Sequence, residues 1–144
     1  MAKEQLGMST ITVIGSFVVG LTMRVPRVPV LGENLVGEEF DLGAGGKGTN
    51  QAIAAARPGA DVNLVACVGG DLFAELAFQT YLKAGISERF IHRMTDVHTG
   101  VGFVTLTPAG ENWITVDLGA NLRLTPELVT AAEATITAVA SGGP

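Results

Sequence analysis

The chain has 144 residues, close to the roughly 100–150 residues of one domain. Its net charge is −5 and its basic residues are not clustered, so we expect no nucleic-acid partner. A hydrophobic content of 47% predicts a folded chain, and the longest uncharged run, residues 7–23, has too many polar and glycine residues to predict a membrane partner or span.

The N-terminus and the cysteine content indicate where the protein works. Residues 1–8 lack the apolar segment and small-residue cleavage site of a secretory signal. The single cysteine, Cys67, lies in the apolar run of residues 62–68, where it is expected to be a small buried hydrophobe. We therefore expect a cytoplasmic protein without disulfides.

The first half of the chain predicts one strand, two exposed extended segments and one helix. The β-branched residues 11–14 favour a buried strand that ends at Gly15. Residues 17–25 and 35–42 are short extended segments, separated by prolines and glycines, that we expect to be at least half exposed. The Ala-rich residues 47–57 predict a helix that stops at Pro58.

The second half predicts a strand, a helix, a hairpin and a further helix. Residues 62–68 form an apolar strand, and Asp71 is the N-cap of a helix over residues 72–84. Residues 99–106 and 113–117 flank a Pro- and Gly-containing turn and predict a hairpin. A last helix begins at Thr125–Pro126, and its buried face would comprise Leu128, Ala132, Ile136 and Val139. This order favours an α/β layered domain with a largely parallel sheet.

The main chemical signal is the glycine-rich stretch of residues 43–50, at the start of the first predicted helix. Glycines allow the backbone to approach a ligand closely, and the first free N–H groups of a helix carry partial positive charge. Lys47 can donate hydrogen bonds, and Asn50 can both donate and accept them. The pattern therefore predicts a ligand rich in oxygen atoms.

Three interpretations of this stretch are considered from the residues themselves. A Walker A loop is excluded because Gly48, and not Ser or Thr, follows Lys47. The spacing of Gly43, Gly45 and Gly48 matches a dinucleotide fingerprint, with Asp71 as the ribose-binding acid, although the preceding residues are too charged for a buried first strand. A glycine turn with a purely structural role is the third interpretation.

The run of residues 45–52, together with Gly59 and Gly69, resembles the first signature of the PfkB carbohydrate kinases, and most closely their ribokinase-like branch. Other pieces are similar along nearly the whole chain, namely residues 13–16, 31–33, 66–69, 99–101 and 119–121. The resemblance covers only the N-terminal half of that family. It implies a three-layer α/β/α domain, incomplete at its C-terminal side, of which residues 1–144 are the N-terminal part. A small β lid would comprise residues 17–42 and 99–117.

The resemblance also implies a function. Gly45, Gly46, Lys47 and Asn50 would contact sugar hydroxyls, and the lid would close over the sugar and clasp a second subunit. The complete enzyme would use Mg-ATP and a monovalent cation to phosphorylate a sugar hydroxyl. Its catalytic base and ATP pocket would lie beyond residue 144, so we expect no catalytic residue in this chain, which would then be truncated. The alternatives are a non-catalytic module, either a lid-mediated dimer or a regulatory binding module, and an NAD(P)-binding Rossmann domain.

Two features of the sequence depart from this pattern or stay outside it. Where ribokinase-like enzymes carry an Asn and an Asp aimed at the sugar, this chain has Val18 and Gly20. The substrate would then differ, or the copy would be incomplete. His92, Asp96 and His98 lie close in sequence on a strand and a loop, but without a further ligand they predict no metal site.

Overall fold

The fold was analysed in a computed structural model that describes residues 10–140, with side chains through residue 136. The expectations for residues 1–8, for the side chain of Val139 and for the chain end after residue 140 lie outside the described residues. The strands are β1 Thr10–Ile14, β2 Val18–Arg24, β3 Glu39–Gly45, β4 Asp61–Gly69, β5 Ile91–Met94, β6 Gly100–Leu106 and β7 Asn112–Asp117. The helices are α1 Lys47–Ala56, α2 Leu72–Ala84, α3 Pro126–Thr130 and α4 Glu133–Ala140, with a 3₁₀ turn at Gly119–Arg123.

A parallel three-stranded sheet, in the order β1-β4-β5, forms the middle layer of the domain. One face of β4, including Leu64 and Ala66, packs in a buried cluster with Ala52 of α1 and Ala77 of α2. The opposite face of β4 packs through Val65 against the segment that holds α3 and α4. Helices therefore cover both faces, and the predicted three-layer α/β arrangement is confirmed.

A second sheet of four strands, in the order β3-β2-β6-β7, is separate from the first. Its central pair, β2 and β6, is parallel, and its outer pairs are antiparallel. The predicted hairpin is present, and its strands begin within one residue of the expected positions. The four-stranded sheet is thus built from the extended segments before α1 and from this hairpin.

The position of β3 corrects one prediction. The strand covers Glu39–Gly45 and not residues 35–42, because it pairs in register with β2 from Arg24↔Glu39 to Val18↔Gly45. Gly43 and Gly45 are therefore strand residues, and only Gly46 remains as a connection between β3 and α1. The connection between β3 and α1 is therefore much shorter than the glycine-rich loop that the sequence predicted.

The side chains of the four-stranded sheet fall on two faces, because in-register neighbours point to the same side. One side, which we call the glycine face, is made by residues 18, 20, 22, 41, 43, 45, 100, 102, 104, 114 and 116. The other side, which we call the aromatic face, carries Leu21, Met23, Phe40, Leu42, Phe103 and Trp113. Near α1 the aromatic face is covered by the core, since Val19 is fully buried.

The helices agree with the sequence except at the end. Asp71 caps α2 by accepting a hydrogen bond from the amide of Ala74 at 3.0 Å, and Gly85 ends that helix with φ 69°. The predicted last helix is wrong as a continuous element, because it breaks between α3 and α4. There the Thr130 hydroxyl bonds to a backbone carbonyl of its own helix, and the amide of Ala132 bonds three residues back. No helix among residues 10–140 is long and apolar enough to cross a membrane.

Candidate functional site

The first part of the site is the glycine corner, residues 45–48, where β3 turns into α1. Gly46 has φ 97°, a conformation that other residues rarely adopt. A Cβ on Gly46 would lie 2.5 Å from the carbonyl oxygen of Ser16, so the turn packs tightly against the connection from β1 to β2. The close packing explains why a single glycine is sufficient to join the strand to the helix.

Thr49 holds the first turn of α1 in place. Its amide and its hydroxyl both donate to the carbonyl of Ser16, at 3.2 Å and 3.0 Å. The hydroxyl also lies 3.0 Å from the hydroxyl of Tyr81, and both side chains are fully buried. Tyr81 in turn stacks edge-to-face on Phe17, with 5.9 Å between the ring centroids. The inner face of α1 is therefore fixed by buried polar and aromatic contacts.

Lys47 and Asn50 lie on the opposite side of this turn, and both are exposed. Residues three apart on a helix share one face, so an ammonium and a carboxamide stand next to each other. Within the described part of the chain, neither side chain has a hydrogen bond or an ion pair. Both groups are therefore available to a ligand beside Gly45 and Gly46, and the contact of these four residues with a sugar stays a prediction.

The glycine face forms an open recess beside the corner. A Cβ on Gly43 would meet nothing within 4 Å, and one on Gly20 would meet only the carbonyl of Gly43 at 3.7 Å. The space next to these two glycines is thus not filled by side chains of the described residues. This recess was not predicted, although glycines at alternate positions, 43 and 45 in one strand and 100 and 102 in another, are a signal for it in the sequence.

One wall of this recess is apolar. A Cβ on Gly102 would lie 3.4 Å from Cγ1 of Val18 and 3.7 Å from Cγ2 of Val116, so the two valines approach each other over that glycine. Val18 and Gly20 occupy the positions at which the resemblance implies polar side chains. The recess therefore offers backbone groups and methyl groups where two hydrogen-bonding side chains were expected.

The dinucleotide interpretation is wrong for two structural reasons. A Rossmann unit needs two parallel strands of one sheet around its helix, but β3 and β4 belong to different sheets. The carboxylate of Asp71 is also occupied, since it accepts hydrogen bonds from the amide of Thr99 at 2.8 Å and from its hydroxyl at 2.6 Å. Burial opposes ionisation of Asp71, but these bonds and those from the amides of α2 outweigh it and hold its pKa below the ordinary value.

The two histidines and Asp96 do not form a metal centre. Nε2 of His92 is buried without a hydrogen-bond partner, whereas His98 is exposed and lies 3.5 Å from a carboxylate oxygen of Asp117. Asp96 is paired with Arg123 at 2.9 Å. Among the described residues, no group of three His, Cys, Asp or Glu side chains could hold a metal ion.

Comparison with known proteins identifies the family. A model of the pfkB family carbohydrate kinases matches residues 8–141. The chain belongs to this family. It is 35% identical over 127 residues to the ribokinase of Haemophilus influenzae, which is 88% of this chain and 42% of that protein. The predicted family membership is thereby confirmed.

Solved structures of ribokinases have the same fold. The structure of ribokinase from Giardia lamblia matches with a TM-score of 0.79 and 30% identity, over 90% of this chain and 38% of that one. Arabidopsis thaliana ribokinase, complexed with ribose and ATP, matches with a TM-score of 0.70 and 27% identity, over 81% of this chain and 38% of that one. This PfkB chain therefore spans about two fifths of the length of the ribokinases that it matches.

Proposed function

We propose that the chain is the N-terminal, sugar-binding and lid portion of a cytoplasmic, ribokinase-like carbohydrate kinase, which phosphorylates a sugar hydroxyl with ATP. The observation that carries this proposal is the pair of exposed groups on Lys47 and Asn50, which have no partner among the described residues and lie beside an open glycine recess. A sugar has many hydroxyls that act as donors and acceptors, and this pair can serve both.

Each of the four proposed site residues has a physical role. Gly45 leaves its backbone uncovered at the end of β3 because it has no Cβ, and Gly46 adopts the positive φ that turns β3 into α1, so backbone groups of the corner can face the sugar. Lys47 donates from its ammonium to hydroxyl oxygens, and Asn50 donates through its amide and accepts through its carbonyl oxygen. The four-stranded sheet is the lid, whose glycine face covers the sugar and excludes water from it.

The remaining chemistry belongs to the complete enzyme. Phosphoryl transfer needs a base, a nucleotide and a positive charge that neutralises the phosphates. The ribokinase of Arabidopsis thaliana is complexed with ribose and ATP, which supports the use of ATP by the complete enzyme. The use of ATP as Mg-ATP, together with a monovalent cation, is a further element of this proposal. The proposal places the base and the ATP pocket beyond residue 144, so it assigns no catalytic residue to this chain. We expect this chain alone to release no ADP from Mg-ATP with any sugar.

Sugar binding by the 144-residue chain tests the proposal. We expect titration with D-ribose, 2-deoxy-D-ribose and D-fructose to change the amide chemical shifts of Gly45–Asn50. These changes should reach saturation for at least one of the three sugars. Lys47→Ala and Asn50→Ala should each weaken that binding by about tenfold, as expected for the loss of a hydrogen bond with a charged or bidentate group.

The matched controls are exposed residues of the same type. Lys83→Ala removes a lysine from α2, and Asn112→Ala removes an asparagine from β7. Both controls should bind the sugar like the wild type, and all four variants should keep the wild-type melting temperature. The proposal fails if none of the three sugars binds, or if the substitutions at Lys47 and Asn50 leave the affinity unchanged.

A second observation favours self-association through the lid. On the aromatic face, Phe40 and Phe103 are 61% and 59% exposed, and Met23 and Trp113 are also exposed. Contiguous exposed apolar surface usually marks a contact site. We propose that a second copy of this chain covers it, since two identical apolar faces related by a two-fold axis bury each other.

Sedimentation of paired variants distinguishes the two faces. Phe103→Glu is expected to convert a dimer to a monomer, whereas Ile114→Glu, an equally exposed residue on the glycine face, should leave the dimer intact. A monomeric wild-type chain at micromolar concentration, or equal dissociation by both variants, contradicts self-association through the aromatic face. A stable dimer that binds no sugar would favour a non-catalytic binding module over a sugar-binding part of a kinase.

A further inference from the structure

Four short connections join the four-stranded sheet to the rest of the domain. Residues 15–17 lead from β1 to β2, Gly46 leads from β3 to α1, residues 95–99 lead from β5 to β6, and Leu118 follows β7. Any rotation of the four-stranded sheet relative to the rest must change the backbone angles of these connections. The groups that form hydrogen bonds between these connections therefore determine how firmly the four-stranded sheet keeps its orientation.

The carboxamide of Asn121 ties two of these connections together. Its Oδ1 accepts from the amide of Phe17 at 3.0 Å, and its Nδ2 donates to the carbonyl of Phe17 at 2.8 Å. The same Nδ2 donates to the carbonyl of Leu118 at 2.7 Å. An asparagine side chain has two N–H donors and one acceptor oxygen, so every one of these groups is used here.

The start of β6 lies against the same carboxamide. A Cβ on Gly100 would collide with Nδ2 of Asn121, and it would lie 2.9 Å from the carbonyl oxygen of Phe17 and 3.0 Å from that of Leu118. The beginnings of β2 and β6 and the end of β7 thus converge on one side chain. Phe17 and Leu118 are 101 positions apart in the sequence, and within the described chain Asn121 is the side chain that bonds to both.

We propose that Asn121 is a positioning residue that fixes the orientation of the four-stranded sheet over the glycine corner. Its effect on sugar binding rests on the function proposed above, whereas its effect on the sheet does not. Without the two N–H donors, the carbonyl of Phe17 loses its bond to this side chain, and the carbonyl of Leu118 keeps only the backbone amide of Asn121 at 3.0 Å, so the sheet is held less firmly at its base. The recess and the corner then lose their fixed spacing, although no group in the sugar site has changed.

Amide hydrogen exchange of an isosteric variant tests this role. Asn121→Asp keeps an acceptor for the amide of Phe17 but replaces the donors by a carboxylate oxygen. Exchange at the amides of Val19 and Val101, in β2 and β6, is expected to accelerate about tenfold relative to exchange in β4. The control is Asn112→Asp, which makes the same change at an exposed position without a side-chain bond to the described residues, and should exchange like the wild type.

Two results would overturn the positioning role. One is unchanged exchange in Asn121→Asp, and the other is equal acceleration in both sheets, which a merely structural residue would give. If the variant does not fold, the wild type provides a second measurement. The Nδ2 protons of Asn121 should then exchange far more slowly than those of Asn112, and equal rates would refute the proposal.

Sugar titration separates this inference from the proposed function. If the wild type binds D-ribose, Asn121→Asp should bind it about tenfold more weakly, and equal affinity would refute the effect on the site. If neither protein binds any sugar while exchange is selectively faster in the four-stranded sheet, the proposed function fails and the positioning role of Asn121 in the sheet stands.

Discussion

Gly48, in the first turn of α1, packs backbone against backbone on Gly15 at the end of β1. A Cβ on Gly48 would lie 2.6 Å from Cα of Gly15 and 2.7 Å from the amide nitrogen of Ser16. These are main-chain atoms, which cannot rotate out of the way. We expect Gly48→Ala to lower the free energy of unfolding by about 1–3 kcal/mol, as overpacking does. Chemical denaturation measures the free energy of unfolding, and a decrease below about 0.5 kcal/mol would contradict the tight contact.

Gly43→Ala is the complementary change, because a methyl group there would enter open space. The variant should unfold within about 0.5 kcal/mol of the wild type. If the sugar occupies the recess, the methyl group should weaken sugar binding by about tenfold in the titration described above. Leu42→Ala, on the opposite face of the same strand, is the control and should bind normally. Equal affinity of Gly43→Ala and the wild type would place the sugar elsewhere.

Val18→Asn tests the apolar wall of the recess. A carboxamide at this position could bond to a sugar hydroxyl, which should raise the affinity for D-ribose by about 2- to 10-fold. Val18→Ala removes the same methyl groups without adding a polar group, so it separates the new hydrogen bond from the loss of bulk. Calorimetric titration of both variants measures the difference. If the two variants bind D-ribose alike, residue 18 does not face a hydroxyl.

The single tyrosine reports on the interior beneath the site. Burial raises the pKa of Tyr81 to about 12, although the hydrogen bond with Thr49 lowers it. The unfolded chain ionises near its ordinary value of 10.0, so this contribution to stability is complete below that pH and is lost as pH rises toward 12. Ultraviolet titration of tyrosinate should show the raised pKa, and Thr49→Val should raise it further. Titration of the folded chain at the ordinary value would disprove the burial.

An ion pair orders the exposed loop between β2 and β3. The hydrogen bond from Arg27, and then that from the amide of Val30, lower the pKa of Glu33 to about 2. Because the folded value is depressed, the ordering is present above the ordinary pKa of 4.5 and should be lost as pH falls toward 2. The amide shift of Val30 should follow this transition. Glu33→Gln is the control, and a similar transition in that variant would exclude Glu33 as its cause.

The sequence predicts correctly those elements whose limits are determined by residues close together in the chain. The cap at Asp71 and the termination at Gly85 are local features, so the limits of α2 follow from the sequence alone. The limits of β3 do not, because they depend on pairing with β2 across a long loop. A residue pattern over residues 35–45 contains no information on that register.

The residue types of the proposed site can be read from the sequence, whereas the shape of the recess cannot. Lys47 and Asn50 stand together because they lie one turn apart on a helix, which the sequence shows. The recess over Gly20 and Gly43 exists because three strands from distant parts of the chain place their glycines side by side. The spacing of Gly43, Gly45 and Gly48 also fits a dinucleotide fold, which the assignment of β3 to the second sheet and the occupied carboxylate of Asp71 exclude.

The parallel pairing of β2 with β6 joins residues about 80 positions apart, such as Val18 and Gly100. Closing so long a loop costs chain entropy before any contact compensates for it, and such pairings form slowly. The pairings of β2 with β3 and of β6 with β7 join strands that are consecutive in the chain. We therefore expect these two pairs to form during folding before β2 and β6 join them. An interruption at that stage would leave unpaired strand edges open to aggregation.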